Sequence, residues 1–166
     1  ASMAVNAGDF TPKNPMTMWY DVPSTATGVK NVWMEYSLPI GNGQLGGSLF
    51  GGVHKDEIQF NEKTLWTGKT SDMQGYGGGY GQYKNFGSIF VEDMSGVFLP
   101  GKDGEVQDYV RSLDLIEGVG SVKFTSGRHH TTYERTYLVS NPDKVMAVRY
   151  TSAGQKTLHL LFSYVP

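Results

Sequence analysis

The stretch from Leu38 to Trp66, LPIGNGQLGGSLFGGVHKDEIQFNEKTLW, decides the fold. Its first feature is a reversal at Gly41-Asn42-Gly43. Asn-Gly is the strongest short hairpin signal, because both residues accept positive φ. An apolar run from Leu45 to Val53 follows, interrupted by Gly46, Gly47, Gly51 and Gly52. Each glycine inside a helix costs about 1 kcal/mol relative to alanine, so four of them point to extended chain. Glycines in a strand mark bulges or the close approach of a second backbone. His54-Lys55-Asp56 reads as a polar turn, and Glu57 to Asn61 alternates as a short strand.

The same stretch contains Gly41-x-Gly43-x-x-Gly46, the spacing of a dinucleotide-binding fingerprint. That motif works only where a helix follows, since the pyrophosphate sits on the helix N-terminus. Gly47, Ser48, Leu49, Phe50, Gly51 and Gly52 will not hold a helix, and the nucleotide reading is set aside.

Outward from this centre the chain continues in the same style. With 166 residues it is long enough for one domain with a sizeable core. Its 22 glycines are roughly twice the usual share, which suits many short turns better than long helices. Ten Tyr, eight Phe and three Trp argue against disorder. The net charge is −2, with no basic run interleaved with aromatics, so nucleic acid is a poor partner. No apolar run approaches the ~20 residues of a membrane-spanning helix, and no membrane partner is expected. The chain has no cysteine, which removes disulfides, thiolate metal sites and cysteine nucleophiles.

Residues 1–15 read as a flexible N-terminal arm and 16–166 as one domain. Within it, strands are expected over Met16–Asp21, Val32–Leu38, Gly87–Glu92, Glu105–Glu117, Val119–Thr125, His129–Ser140, Val145–Thr151 and Thr157–Ser163. In the segment from Glu105 to Glu117, helical and strand spacings compete. Its flanking glycines and neighbouring strands favour the strand. Tyr133, Arg135, Tyr137 and Val139 fall on one face of theirs. Thr67 to Gln82 is a Gly/Tyr-rich loop of a length that is uncommon without a function. Short strands separated by turn signals indicate an all-β, antiparallel β-sandwich.

Candidate chemistry is sparse. His129 and His130 are adjacent, and strand neighbours point to opposite faces, so they cannot chelate one ion. His54 and His159 have no partner at ligand spacing. No metal and no cofactor are expected. Glycosidic hydrolysis needs two carboxyls across a pocket, about 5–9.5 Å apart. Glu35, Asp56, Glu57, Glu62, Asp114 and Glu117 are available, yet nothing selects two of them. Asp56, Glu57 and Glu117 read as ordinary solvated carboxylates beside turns. Trp19, Trp33 and Trp66 could stack on sugars, but core packing is the plainer reading.

LPIGNGQLGGSLFGG and IQFNEKTLWTG resemble the N-terminal domain of family 95 glycoside hydrolases, the α-L-fucosidase family, whose N-terminal domain is of family 65 type. Met18-Trp19-Tyr20-Asp21-x-Pro23 is similar to that family's opening. Tyr83-x-x-Phe86-Gly87-Ser88-Ile89-Phe90 is similar to its central strand. Tyr109-x-Arg111-Ser112-Leu113-Asp114-Leu115 and Tyr133-x-Arg135-x-Tyr137-x-x-Ser140-x-Pro142-Asp143-x-Val145 follow in the family's order. The resemblance covers roughly residues 16–163.

It implies a β-sandwich of the super-sandwich type placed before an (α/α)6 barrel, which carries the catalytic residues. No catalytic residue therefore carries over, and the fragment alone is expected to be inactive. The expected partners are its own downstream barrel and carbohydrate, in a periplasmic or secreted protein. Two departures stand out. The Gly/Tyr loop takes the place of a helical insertion, and the sandwich is expected to be incomplete at its C-terminal end, leaving an edge or inner face open to self-association. A stand-alone carbohydrate-binding module and a purely structural adaptor remain alternatives.

The residues singled out for sugar contact are Gln59, Asn61 and Trp66. Gln59 and Asn61 lie two apart on one strand and share a face, opposite Ile58 and Phe60. Two amides beside an aromatic suit the hydroxyls and the apolar face of a pyranose ring. The plain alternative has the amides bonded to nearby backbone and Trp66 plugging the sandwich end.

Overall fold

The computed structural model describes residues 10–24, 30–67, 82–98, 106–155 and 157–166. Two five-stranded antiparallel sheets face each other. The first runs in the order β1 (Thr17–Tyr20), β8 (Val106–Asp114), β9 (Val119–Ser126), β10 (Thr131–Val139), β11 (Met146–Ala153). The second runs β12 (Leu160–Val165), β7 (Gly87–Asp93), β4 (Lys55–Glu62), β3 (Leu45–Leu49), β2 (Leu38–Gly41). A small ribbon pairs β5 (Trp66–Thr67) with β6 (Gln82–Tyr83). This is the all-β sandwich the glycines and alternation predict.

The deciding stretch forms the hairpin β2–β3 and continues into β4. Its tip differs from a two-residue Asn-Gly turn. Asn42, Gly43 and Gln44 make a three-residue loop, and only Gly43 takes positive φ, at 85°. Asn42 instead uses its side chain: Oδ1 accepts the N–H groups of Gln44 and Leu45 at 2.9 and 2.8 Å. Its Nδ2 donates to the Ser140 carbonyl at 2.6 Å, which ties the tip to the β10–β11 turn. A strand follows Gly43, so the fingerprint spacing carries no helix N-terminus.

The glycines serve close approach between the layers. A Cβ on Gly120 would stand 2.5 Å from Leu49 Cδ1 of the opposite sheet. Gly51 has φ +70°, and its Cβ would lie 2.5 Å from Tyr109 Oη, which donates to the Gly51 carbonyl at 2.6 Å. Gly51→Ala is expected to destabilise the domain by about 1–3 kcal/mol, combining a left-handed backbone with a clash. Urea unfolding measures it, and a loss under about 0.5 kcal/mol would contradict the account.

Between the sheets lie Leu38, Ile40, Leu49, Val53 and Ile58 on one side and Tyr109, Leu113, Val122, Phe124, Tyr133 and Tyr137 on the other. Phe124 stacks between Tyr109 and Tyr133, with ring centroids 6.0 and 5.6 Å away, and Phe98 meets Phe124 and Tyr133 edge-on. β10 alternates as its sequence demands: Tyr133, Arg135, Tyr137 and Val139 are buried, and Glu134 and Leu138 are exposed. β8 does not alternate, because a bulge between Gln107 and Val110, with Asp108 at φ 52°, breaks the register. Tyr109 through Leu113 are then all buried. The competing spacings in this segment come from that bulge.

Several expectations need correction. Val32–Leu38 is not a strand: α1 (Val32–Glu35) is a single helical turn, and β2 begins only at Leu38. Glu35 N–H and Tyr36 N–H donate to Asn31 and Val32 carbonyls, and Ser37 Oγ donates to the Trp33 carbonyl. That local bonding outweighs a period-2 pattern too short to specify a strand. His129 and His130 belong to the β9–β10 turn, with His130 at φ 46°, and β10 starts at Thr131. β4 starts at Lys55, so Asp56 lies on a strand rather than in a turn. No tryptophan is in the core: Trp19, Trp33 and Trp66 are 41%, 55% and 49% exposed.

Of the N-terminal arm, residues 1–9 lie outside the described residues. Phe10 packs edge-on against Trp19, and Lys13 and Asn14 reach Glu117 and Asp114. The Gly/Tyr loop from 68 to 81 also lies outside them. At the other end, β12 is the last strand of its sheet. Phe162 pairs with buried Val91 and so faces inward, where it touches Tyr150 of β11. It is nevertheless 61% exposed, and Leu161, Tyr164 and Val165 are about half exposed. The sandwich is open along β11 and β12.

Candidate functional site

β4 presents two different faces. Inward go Asp56, Ile58 and Phe60; outward go Glu57, Gln59 and Asn61. Outside β3 and β4, an open groove of about 900 Å³ runs between the sheet and α1. Gln59 and Asn61 line it together, with Ser48 opposite Gln59 on the neighbouring strand. Pro39 and Glu57 line it too, and Trp33 and Met34 approach from α1. Lys30 and Lys84 stand at its margins.

The groove's polar groups are partly committed. Asn61 Oδ1 accepts the Glu62 N–H at 2.8 Å, the kind of backbone bond that the plain alternative foresees. Glu57 Oε1 accepts from Ser88 Oγ at 2.8 Å, leaving Oε2. Trp66 is not among the lining residues. A tight turn separates it from Asn61, with Leu65 N–H donating to the Glu62 carbonyl, and it stands on the β5–β6 ribbon. The aromatic beside the amides is Trp33. In the sequence Trp33 is one of three tryptophans that could stack on sugars, with core packing the plainer reading because large aromatics dominate cores.

The other carboxylates are placed as follows. Glu35 is exposed on α1. Glu62 is held by Thr64, whose hydroxyl and N–H both donate to Oε2; these bonds lower its pKa. Asp114 organises the β8–β9 turn by accepting the N–H groups of Glu117 and Ile116, with the pKa lowered chiefly by the Glu117 N–H. Glu117 pairs with Lys13 at 2.8 Å on the surface. Among the described residues that line the groove, Glu57 alone carries a carboxylate. No three His, Asp or Glu side chains among the described residues converge as a metal site.

Asp56 corrects the sequence reading most. It is fully buried, not solvated. Tyr137 and Tyr150 donate their hydroxyls to Oδ2 at 2.6 and 2.8 Å, and Arg135 Nη1 stands 3.5 Å from Oδ1. Arg135 also donates to the carbonyls of Gly52 and Val53, fastening the chain that leads into β4. Burial pushes both tyrosine hydroxyls well above their ordinary pKa, and the Asp56 carboxylate adds to it. For Arg135, burial is the largest single influence and lowers the pKa, but Asp56 together with Tyr137, Tyr150 and Tyr109 raises it overall. The cluster is inside the sandwich and does not line the groove. Its chemistry is that of a buried ion pair between the two sheets, with Asp56 Oδ2 bonded by both tyrosines and Oδ1 facing Arg135 without a hydrogen bond.

Comparison with known proteins agrees with this architecture. The model of the glycosyl hydrolase family 65 N-terminal domain matches residues 18–80 and 70–165. The chain is 25% identical over 168 aligned residues to the Alpha-L-fucosidase 2 of Arabidopsis thaliana, an alignment covering 84% of this chain and 19% of that protein. It therefore spans about a fifth of the length of the curated relative it matches. With nearly the whole sandwich inside the family match, the chain belongs to the family of glycosyl hydrolase family 65 N-terminal domains.

Proposed function

We propose that this chain is the non-catalytic N-terminal β-sandwich of a family 95, α-L-fucosidase-type glycoside hydrolase, and that it packs on a catalytic barrel carried further along the same protein. The observation that carries the reading is the match to a plant α-L-fucosidase over most of this chain and a fifth of the relative. The groove supports it. Glycosidic hydrolysis needs two carboxyls across a pocket, and among the described residues lining the groove Glu57 alone is a carboxylate. On this reading the whole catalytic pair comes from the barrel. Carbohydrate is the partner in solution, and a periplasmic or secreted location is part of the proposal.

In this reading Gln59 and Asn61 line the barrel-facing rim of the sugar pocket, and Trp66 stands apart from them on the β5–β6 ribbon. The rim orients the bound ring without touching the bond that breaks. Amide donors fix hydroxyls, and remote contacts of this kind raise kcat/KM by holding the substrate in its reactive pose. In the full-length enzyme, Asn61→Ala is expected to lower kcat/KM on an aryl α-L-fucoside by about tenfold, with Tm nearly unchanged. Intact kinetics with a stability loss above about 1 kcal/mol would make Asn61 a purely structural residue, serving the Glu62 N–H.

A further inference from the structure

The groove has an aromatic wall that the rim reading does not use. Trp33 rides on α1, none of whose four residues is buried. The turn is closed by its own hydrogen bonds. Glu35 N–H and Tyr36 N–H bond back to the Asn31 and Val32 carbonyls at 3.1 and 3.0 Å, and Ser37 Oγ donates to the Trp33 carbonyl. An indole more than half exposed thus lines the same groove as the polar residues of the floor.

The floor has its own design. Gln59 and Asn61 project two residues apart on β4, and Ser48 stands beside Gln59. Gly46, paired with Asn61, keeps the floor low: a Cβ there would meet nothing nearer than the Ile40 carbonyl oxygen, at 3.9 Å. The glycine is not required by backbone strain, since Gly46 is not among the positive-φ glycines. What its missing side chain supplies is room. Lys30, Lys84 and Glu57 also line the groove, so charges of both signs are present in it. Amides and a hydroxyl sharing one groove with an indole match a ring with hydroxyls on its edge and C–H bonds on its face.

We propose that this groove is a saccharide-binding site belonging to the chain itself, taking a neutral pyranose with Trp33 as the stacking surface and Gln59, Asn61 and Ser48 as the groups that bond its hydroxyls. The choice of sugar rests on the α-L-fucosidase reading above, while the site does not. Trp33 is then a positioning residue for the substrate, and the groove binds sugar before any barrel contact is made.

The test uses the chain labelled with 5-fluorotryptophan, whose three tryptophans give three fluorine resonances. Methyl α-L-fucoside and methyl α-D-galactoside are titrated in turn. The Trp33 signal is expected to shift saturably with at least one of them, and the signals of Trp19 and Trp66 to stay still. Gly46→Leu fills the floor and should weaken the response about tenfold or more. Trp33→Ala should weaken it equally, followed by proton NMR of the sugar. A Trp33 signal that ignores both glycosides, or one that shifts equally in Gly46→Leu, overturns the proposal. Failure here with an active full-length fucosidase leaves the functional reading standing. Binding here with an inactive full-length protein removes that reading and leaves the site.

Discussion

Asp56→Ala lowers the unfolding free energy of the domain by about 3–5 kcal/mol, the loss expected when one partner of a buried ion pair is removed. The mutation leaves the Arg135 guanidinium inside the sandwich without its carboxylate, and the Tyr137 and Tyr150 hydroxyls without their acceptor. It also loosens Arg135, which fixes the carbonyls of Gly52 and Val53. A domain of this size has about 5–15 kcal/mol in total, so the variant is expected near the edge of folding. Glu134→Ala is the control. Glu134 adjoins Arg135 but points to solvent, and its loss should stay within about 0.5 kcal/mol. Urea denaturation of both variants reads the difference. Equal stability for the two would mean that Asp56 is solvated, as its neighbours in sequence suggest.

The second large effect is association through the open side of the sandwich. β12 presents an unpaired edge, and its six residues, Leu160 to Val165, carry no charge. Natural sheets guard such edges with lysine, proline or an inward-pointing charge, and this strand has none within it. Phe162 faces the interior while mostly exposed. We propose that the isolated chain self-associates, β12 pairing with β12 of a second copy. At about 100 μM, in the range where exposed edges associate, light scattering should give a mass above that of one chain. Phe162→Lys places a charge on the inward face and should return a monomer with unchanged circular dichroism. A monomeric parent chain would contradict this.

How much of this could be read from the chain follows from where local pattern and tertiary packing agree. β10 was legible because Tyr133, Arg135, Tyr137 and Val139 alternate without interruption. The β2–β3 hairpin was legible from Asn42-Gly43, although the turn itself is set by the Asn42 side chain rather than by two positive φ angles. α1 was not, because four residues hold too little periodicity to separate a helical turn from a strand. Asp56 was hidden for a different reason. Its partners Arg135, Tyr137 and Tyr150 lie 79 to 94 residues downstream by position, and no local rule announces a pairing across two sheets. The amide pair of the groove was legible from period 2 alone. Its aromatic neighbour was not, since Trp33 reaches the amides only through the fold.

The central claim is that this sandwich serves a fucosidase-type hydrolase without containing its catalytic pair. The most direct measurement compares hydrolysis of 4-nitrophenyl α-L-fucoside by the full-length protein and by this chain alone at equal concentration. The account predicts turnover by the full-length protein and none above the uncatalysed rate by the chain. Turnover by the chain, abolished on replacing one of its own carboxylates such as Glu57, would contradict it, and so would a folded full-length protein without α-L-fucosidase activity.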